Sequence, residues 1–178
     1  MTNGDFTRIR QLHDVESHSF DTVMKKMKLP RNLRRTLIFK SSRDNSRTPM
    51  QWDESEYGGF SESEPWIKIN SNKSFINVDA ENDDDVSILR FYQKLIDIRK
   101  NSDSLSNGTY RRVASESDVF IFTREAESDR VYVYANMTPF NRVVEFYGET
   151  ILLDNYPDEK LENNRLLPYE FRLIKARV

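Results

Sequence analysis

The sequence predicts an α+β protein in which helices and a long polar loop are followed by an antiparallel sheet. Hydrophobic residues recur at helical spacing in three segments of the first hundred residues. From residue 105 onwards they fall in short runs rich in Val, Ile, Phe and Tyr, separated by turn residues. The length of 178 residues, 37% of them hydrophobic, suffices for one domain or for a domain with an appendage.

Two short amphipathic helices are predicted near the start of the chain. The first extends to residue 28, where Leu29-Pro30 ends it, and the second covers residues 32–39. Their apolar positions are Val15, Phe20, Val23, Met24, Met27, Leu33, Leu37 and Ile38. Nothing within this segment could cover these faces, so we expect them to dock on a body that is only partly present in the chain.

Residues 42–52, SRDNSRTPMQW, form the densest polar stretch of the chain. They hold two arginines, an aspartate, a Thr-Pro step and a tryptophan, without the apolar periodicity of a helix or a strand. A polar loop of this density serves either a functional site or a buried salt-bridge corner, and the residues alone favour neither. The surrounding residues 41–80 are predicted to be mostly loop, which is typical of a functional segment or of one draped over a larger body.

The strongest predicted helix covers residues 85–101, with the acidic residues Asp83, Asp84 and Asp85 supplying its N-cap and favourable charge. Six strands are predicted after it, and they form an antiparallel sheet or a small sandwich. They cover residues 109–113, 118–124, 131–136, 142–147, 150–153 and 169–175. Asn107-Gly108 and Ser128-Asp129 are the predicted turns.

Composition excludes several classes of function. A net charge of −2 argues against nucleic acid or an acidic membrane surface as the main partner. The absence of cysteine excludes disulfides, thiolate metal sites and a cysteine nucleophile, and it suits a reducing compartment. No apolar run approaches the roughly 20 residues of a membrane helix, and the N-terminus lacks the apolar region of a signal peptide. We therefore expect a cytoplasmic protein.

No catalytic, metal or cofactor motif is recognised from spacing. His13 lies beside Asp14, but no nucleophile motif or metal-ligand spacing accompanies it or His18, so both histidines are predicted to be structural or exposed. The acidic residues between 53 and 64 could bind a hard cation, although a solvated acidic loop explains them better. The chain contains no phosphate-binding or dinucleotide-binding glycine motif. We therefore predict no metal and no cofactor.

The order of motifs resembles a known family. SRDNSRTPMQW is followed by Gly59-Phe60, PWIKIN, INV, an acidic helix start and FYQKLIDIRKNSDSLSNGTY. This order is similar to the C-terminal third of the oligo-1,6-glucosidase branch of glycoside hydrolase family 13, which belongs to the α-amylase superfamily. The resemblance covers essentially the whole chain and is highly specific. One departure is SNKS after Asn70, where relatives often have a proline and a second aromatic residue.

The resemblance implies a role for two arginines. Members of the family carry an aspartate nucleophile, a glutamate acid/base and a further aspartate on a (β/α)8 barrel, and no residue of this chain matches those motifs. In relatives, an arginine of the SRDNSRTPMQW loop pairs with an upstream aspartate and grips hydroxyls of the terminal glucose. Arg47 matches that arginine best and Arg43 second. A guanidinium suits the role because its rigid fork of donors can bridge a carboxylate and sugar hydroxyls.

The resemblance also implies an architecture without the barrel core. Residues 1–102 would be the end of a barrel, with its last βα loop and last helix, and residues 103–178 would be a C-terminal all-β domain. Without a barrel, the helix at residues 85–101 is predicted to bury its apolar face against the β domain, the N-terminal helices or a second copy of the chain. Self-association through the barrel-facing surface is therefore a further expectation.

Two functional hypotheses follow from these observations. In the first, the chain is the C-terminal portion of an α-glucosidase-type glycoside hydrolase and is inactive alone. The full-length enzyme would cleave terminal α-glucosidic bonds of short oligosaccharides such as isomaltose with retention of configuration. In the second, the chain is a non-catalytic carbohydrate-binding or interaction module. The alternating aromatic residues of the strands resemble core residues more than an exposed sugar-stacking surface, which favours the first hypothesis.

Overall fold

The computed structural model describes residues 2–113, 118–156 and 164–176. By the density of its internal contacts the chain divides into two compact units, Met1–Asp85 and Val86–Val178. The first unit is helical with long loops, and the second contains an antiparallel sheet. The predicted α+β class is therefore confirmed.

The described part of the first unit contains three helices and three 3-10 turns. Helix α1 is Val15–Lys26 and helix α2 is Arg31–Ser41, while the short helix α3 is Val78–Asp83. The 3-10 turns are Ile9–Gln11, Arg43–Ser46 and Ser71–Ser74. Helix α1 ends before residue 28, where its end was predicted, because Lys28 adopts a left-handed φ of 56°. The core consists of Phe6, Leu12, Met24, Ile38 and Ile67.

The outer face of α1 and α2 is apolar and exposed. Its side chains are Val15, Phe20, Val23, Met27, Leu33 and Leu37, each at least 46% exposed. Burying a side chain of this size contributes about 1.5–3 kcal/mol. The expectation that nothing near these helices covers their apolar faces was therefore wrong for Met24 and Ile38, which are buried in the core of the unit, and it holds for the six exposed side chains.

The second unit begins with helices α4, Ile88–Lys100, and α5, Asp103–Ser106. Among the described residues, seven strands follow: β1 Thr109–Arg112, β2 Val119–Glu125, β3 Arg130–Asn136, β4 Arg142–Val143, β5 Thr150–Asp154, β6 Arg165–Leu166 and β7 Phe171–Ala176. The main sheet has the order β1-β2-β3-β7-β5, and β4 pairs with β6 in a two-stranded ribbon. Every strand pair in both sheets is antiparallel.

The main sheet has an apolar core on each face. Leu95 and Ile98 of α4 pack with Leu105 against Val131, Val133 and Leu173. The second core joins Val119, Ile121, Tyr134 and Ile174 of the sheet to Val144 and to Leu166 of the ribbon. Helix α4 therefore buries part of its apolar face against the sheet, which is one of the three partners predicted for it. Within the described residues, no helix is long and apolar enough to cross a membrane.

Two local predictions were wrong. Helix α4 is capped by Ser87, whose hydroxyl accepts from the Arg90 N–H at 3.1 Å, rather than by the acidic triplet. Asp83 instead ends helix α3. The strand predicted at residues 142–147 forms a ladder only at Arg142–Val143, with one further hydrogen bond from the Val144 N–H to the Asn164 carbonyl at 3.0 Å. At the other end of the predicted strand, the Tyr147 N–H donates to the buried Tyr134 hydroxyl at 2.7 Å instead of to a strand.

Candidate functional site

The polar loop at residues 42–52 is organised around the carboxylate of Asp44. Asp44 lies in the 3-10 turn Arg43–Ser46 and is fully buried. Its Oδ2 accepts from the backbone N–H groups of His13 and Asp14, at 2.6 and 3.0 Å, and its Oδ1 accepts from Arg47 Nη1 at 3.1 Å. One buried carboxylate thus joins the loop to the residues that start α1.

A second buried carboxylate, Asp14, holds the other arginine. Asp14 is the N-cap of α1, and its Oδ1 accepts from Nη2 and Nε of Arg43 at 3.1 and 3.3 Å. Its Oδ2 accepts from the Ser17 hydroxyl at 2.9 Å. Nη2 of Arg43 also lies 3.3 Å from Oε2 of Glu16. Each arginine of the loop is therefore anchored by its own aspartate, and the two aspartates are adjacent through the Asp14 N–H.

Further hydrogen bonds fix the two ends of the loop. Asn45 accepts from the Gly4 N–H at 3.0 Å and donates to the Phe39 carbonyl at 2.7 Å. At the other end, the N–H groups of Val78 and Asp79 donate to the carbonyls of Gln51 and Trp52 at 3.0 and 3.1 Å. The loop is thus ordered by local ion pairs and hydrogen bonds.

The guanidinium groups stay accessible although their partners are buried. The side chain of Arg47 is 40% exposed and that of Arg43 is 58% exposed. Aromatic surface is available on the same unit, since Trp52 is 50% exposed and Trp66 is 61% exposed. A guanidinium held at one end and open at the other can donate hydrogen bonds to hydroxyl groups of a ligand.

The sequence indicated the two arginines of this cluster but not its two carboxylates. The structure brings Arg43 and Arg47 into one ion-pair cluster with Asp14 and Asp44. Asp14 carried a visible signal, because it precedes an apolar period at a helix start, where aspartate caps are common. Asp44 carried none, because its partners His13 and Asp14 lie 31 and 30 residues away.

The histidines and the acidic loop show no catalytic arrangement. His18 Nε2 lies 2.8 Å from the Leu12 carbonyl, and the His13 ring meets the edge of Trp66 at 5.3 Å. Among the described residues, no three acidic or histidine side chains are grouped so that they could hold a metal ion. The chemistry that this cluster offers is therefore hydrogen bonding from two positioned cations.

The Asp14 carboxylate should make the stability of the first unit depend on pH. Burial raises the pKa of Asp14, but hydrogen bonds from Ser17 and Arg43 outweigh burial and hold that pKa below its usual range. A pKa lowered by folding contributes stability that is present above the unfolded value of about 3.9 and is lost as the pH falls through the folded value. We expect the stability difference between wild type and Asp14→Asn to shrink as the pH falls from 6 to 3, as measured by urea unfolding.

Ser17→Ala is the matched variant for this measurement. It removes one hydroxyl donor to Asp14 and keeps the carboxylate and Arg43. The difference in free energy of unfolding between wild type and Ser17→Ala should therefore also shrink towards low pH, but from a smaller value. Parallel curves for wild type and Asp14→Asn across the whole pH range would contradict the assignment.

Comparison with known proteins identifies the family. The family model of the α-amylase catalytic domain matches residues 9–108, which is more than half of the chain. The chain therefore belongs to the α-amylase family. Within that family its similarity is to α-glucosidases, in agreement with the resemblance to the oligo-1,6-glucosidase branch.

Two curated relatives illustrate the match. A probable oligo-1,6-glucosidase 3 of Bacillus subtilis is 34% identical over 183 residues, which cover 97% of this chain and 33% of that protein. A trehalose-6-phosphate hydrolase of the same organism is 35% identical over 188 residues, covering 98% of this chain and 34% of that protein. The chain thus spans about one third of the length of these relatives.

Solved structures show the same relationship. A trehalose-6-phosphate hydrolase of Bacillus licheniformis superposes with a TM-score of 0.88 at 27% identity, covering all of this chain and 34% of that one. A trehalulose synthase of Pseudomonas mesoacidophila gives a TM-score of 0.85 at 30% identity, covering 98% of this chain and 33% of that one. The chain corresponds in fold and sequence to part of such an enzyme.

Proposed function

We propose that the chain is the C-terminal portion of an α-glucosidase-type hydrolase and supplies one wall of its sugar pocket. The observation that carries this proposal is the pair of anchored, accessible arginines, in a chain that spans a third of enzymes named for α-glucoside hydrolysis. The full-length enzyme cleaves terminal α-glucosidic bonds of short oligosaccharides with retention, using two carboxylates outside this chain. The chain alone is inactive.

Arg47 is our choice for the sugar contact. Arg43 uses both Nε and Nη2 on Asp14 and also meets Glu16. Arg47 makes one ion pair, from Nη1 to Asp44, so more of its guanidinium N–H donors remain for hydroxyl groups of the sugar. Arg43 then holds the loop on the start of α1, where it acts on the sugar only through the position of Arg47.

The domain assignment belongs to the same proposal. Residues 1–102 form the end of a (β/α)8 barrel and residues 103–178 form a C-terminal β domain of the complete enzyme. The exposed apolar side chains of α1 and α2 support this assignment, because a surface of that kind requires a covering partner. The rest of the barrel covers it in our proposal, and self-association through the same surface is the alternative, which size-exclusion chromatography of the 178-residue chain distinguishes. We place the enzyme in the cytoplasm.

A chimaera tests the proposed function. The first two thirds of the probable oligo-1,6-glucosidase 3 of Bacillus subtilis are fused ahead of this chain. Turnover of a nitrophenyl α-glucoside is then compared for the chimaera and for the chain alone. We expect turnover by the chimaera and none by the chain. A cooperative melting transition confirms that the chimaera is folded, and co-expression of the two pieces as separate chains provides a second route to assembly.

Arginine variants of the chimaera test the site itself. Arg47→Ala should lower kcat/KM at least tenfold, which corresponds to about 1.4 kcal/mol of lost transition-state binding. Arg43→Ala should have a smaller effect on kcat/KM and a larger effect on melting temperature. Arg111→Ala, in the exposed part of β1, is the matched control and should change neither.

Three results would contradict the proposal. Turnover that follows the purified 178-residue chain would show that it contains its own catalytic groups. A folded but inactive chimaera would show that the chain does not complete the pocket. Micromolar binding of isomaltose by the isolated chain, measured by calorimetry, would favour a carbohydrate-binding module instead.

A further inference from the structure

A strongly basic cavity lies in the first unit, away from the polar loop. Its volume is about 550 Å³, and it is bounded by the turn Ile9–Gln11, helix α1 and the start of helix α2. The basic residues that line it are Arg8, Arg10, Lys25, Arg31, Arg34 and Arg35, and Asp21 is the acidic one. We call it the arginine cavity. It shares no lining residue with the cluster of Arg43, Arg47, Asp14 and Asp44.

The charge of the arginine cavity contrasts with that of the chain. Residues 8–40 contain nine lysines and arginines against three acidic residues, whereas the whole chain carries a net charge of −2. Like charges gathered around one concave surface repel each other and focus a positive potential into it. An anion in the cavity would relieve that repulsion, whereas a neutral sugar would not.

Two of the guanidinium groups are already fixed in position. Arg34 donates from Nη1 to the buried Asp21 and from Nε to the Leu29 carbonyl at 3.2 Å. Arg35 donates to the Thr7 carbonyl, and its guanidinium lies 5.6 Å from the centre of the Phe39 ring. Fixing these side chains before a ligand arrives lowers the entropy lost on binding. Each guanidinium has five N–H donors, so these contacts leave donors for a ligand.

Two other arginines are available to a ligand. Arg10 and Arg31 are exposed, and among residues 2–113, 118–156 and 164–176 the side chain of neither makes a hydrogen bond or an ion pair. Asp21 does not neutralise the cavity, because its carboxylate is occupied by Arg34 and by Lys25 at 2.6 Å. The cavity therefore combines fixed and movable cations around one space.

We propose that the arginine cavity binds a small molecule that bears a phosphate group. Arginine forks match phosphate oxygens in pairs, and several arginines around one space suit a multiply charged anion. A cavity bounded by one turn and two helices, on a protein of net negative charge, fits a small ligand better than nucleic acid, which requires an extended basic surface. This inference does not rest on the proposed glycosidase function.

The test uses the full 178-residue chain and two simple probes, inorganic phosphate and pyrophosphate. Calorimetry and thermal melting are carried out at constant ionic strength, with sodium chloride as the reference salt. We expect pyrophosphate to bind more tightly than phosphate and to raise the melting temperature more than chloride does. The double variant Arg10→Gln/Arg31→Gln should weaken pyrophosphate binding at least tenfold.

Controls separate a specific site from general charge effects. Because the side chains of Arg10 and Arg31 have no partner in the described structure and repel the neighbouring cations, the double variant should melt at or slightly above the wild-type temperature without ligand. Arg111→Gln removes a charge in the other unit and should leave pyrophosphate binding unchanged. An equal response to chloride, or unchanged binding by the double variant, would overturn the proposal.

Two competing occupants are also resolved by the experiment. Tighter binding of a short single-stranded oligonucleotide than of pyrophosphate would point to nucleic acid and overturn the small-ligand proposal. Loss of pyrophosphate binding in the folded chimaera would show that the cavity is covered by the rest of the enzyme, which also overturns it. Binding retained in both the chain and the chimaera supports the proposal.

Discussion

Asp44→Ala should lower the free energy of unfolding of the first unit by about 3 kcal/mol, since buried backbone donors that lose their acceptor cost about 1–3 kcal/mol each. The donors are the N–H groups of His13 and Asp14, which the Asp44 carboxylate accepts at 2.6 and 3.0 Å. Both tryptophans, Trp52 and Trp66, lie in this unit. Their fluorescence during urea unfolding therefore reports on this unit specifically.

Two companion variants show which contacts of Asp44 matter. Asp44→Asn keeps an oxygen acceptor for the two N–H groups but places an amide near Arg47. Its decrease in the free energy of unfolding should therefore be about half of that caused by Asp44→Ala. Arg47→Ala removes only the ion pair to a 40% exposed side chain and should cost at most about 1 kcal/mol. Equal losses for Asp44→Ala and Arg47→Ala would contradict the view that Asp44 acts mainly on the backbone.

The ordering of these variants matters for the proposed function. If Asp44 mainly holds the backbone, Arg47 is positioned by a rigid support that does not depend on Arg47 itself. Arg47 can then be replaced in the chimaera with little structural damage. A loss of kcat/KM in that variant can accordingly be assigned to the sugar contact rather than to unfolding.

The sequence predicted the parts of the fold that depend on short-range pattern. Helices α1, α2 and α4 were predicted because their apolar residues repeat at helical spacing, and all five strands of the main sheet were predicted because their residues favour extended structure. The strand predicted at residues 142–147 was too long because Tyr134, a residue distant in sequence, binds the Tyr147 N–H. Strand β6 has only two residues, Arg165–Leu166, which is too short for any pattern.

The candidate site was predictable only in part, because some of its contacts join residues that are distant in sequence. Arg43 and Arg47 stand in a local motif that resembles the family, and that resemblance nominated them, because the residues alone favoured neither a functional site nor a salt-bridge corner. Asp44 acts through contacts to His13 and Asp14, and no local spacing encodes a contact across 30 residues. The arginine cavity was also missed, because its basic residues are dispersed between positions 8 and 35 and only the fold gathers them.

Glu170→Ala should lower the free energy of unfolding of the second unit by about 3–5 kcal/mol, the usual cost of breaking a buried ion pair from one side. The side chains of Glu170 and Arg172 are both fully buried at the start of β7. Glu170 accepts from Arg172 Nε and from the Leu167 N–H, so its loss affects a buried cation and a backbone donor together. Hydrogen exchange of the β7 amides measures the effect within this unit.

The double variant Glu170→Ala/Arg172→Met separates the contribution of the buried charges to the free energy of unfolding from the contribution of side-chain packing. Arg172 lies 4.9 Å from the centre of the Phe146 ring, and a methionine can keep apolar contact with that ring. Because replacing both partners of a buried pair by apolar groups is often close to neutral, the double variant should be more stable than Glu170→Ala alone. The pair of Glu125 and Arg130 in the same sheet, whose side chains are 31% and 34% exposed, is the matched control, and Glu125→Ala should lower the free energy of unfolding far less. A double variant less stable than Glu170→Ala would show that Arg172 stabilises the sheet independently of Glu170.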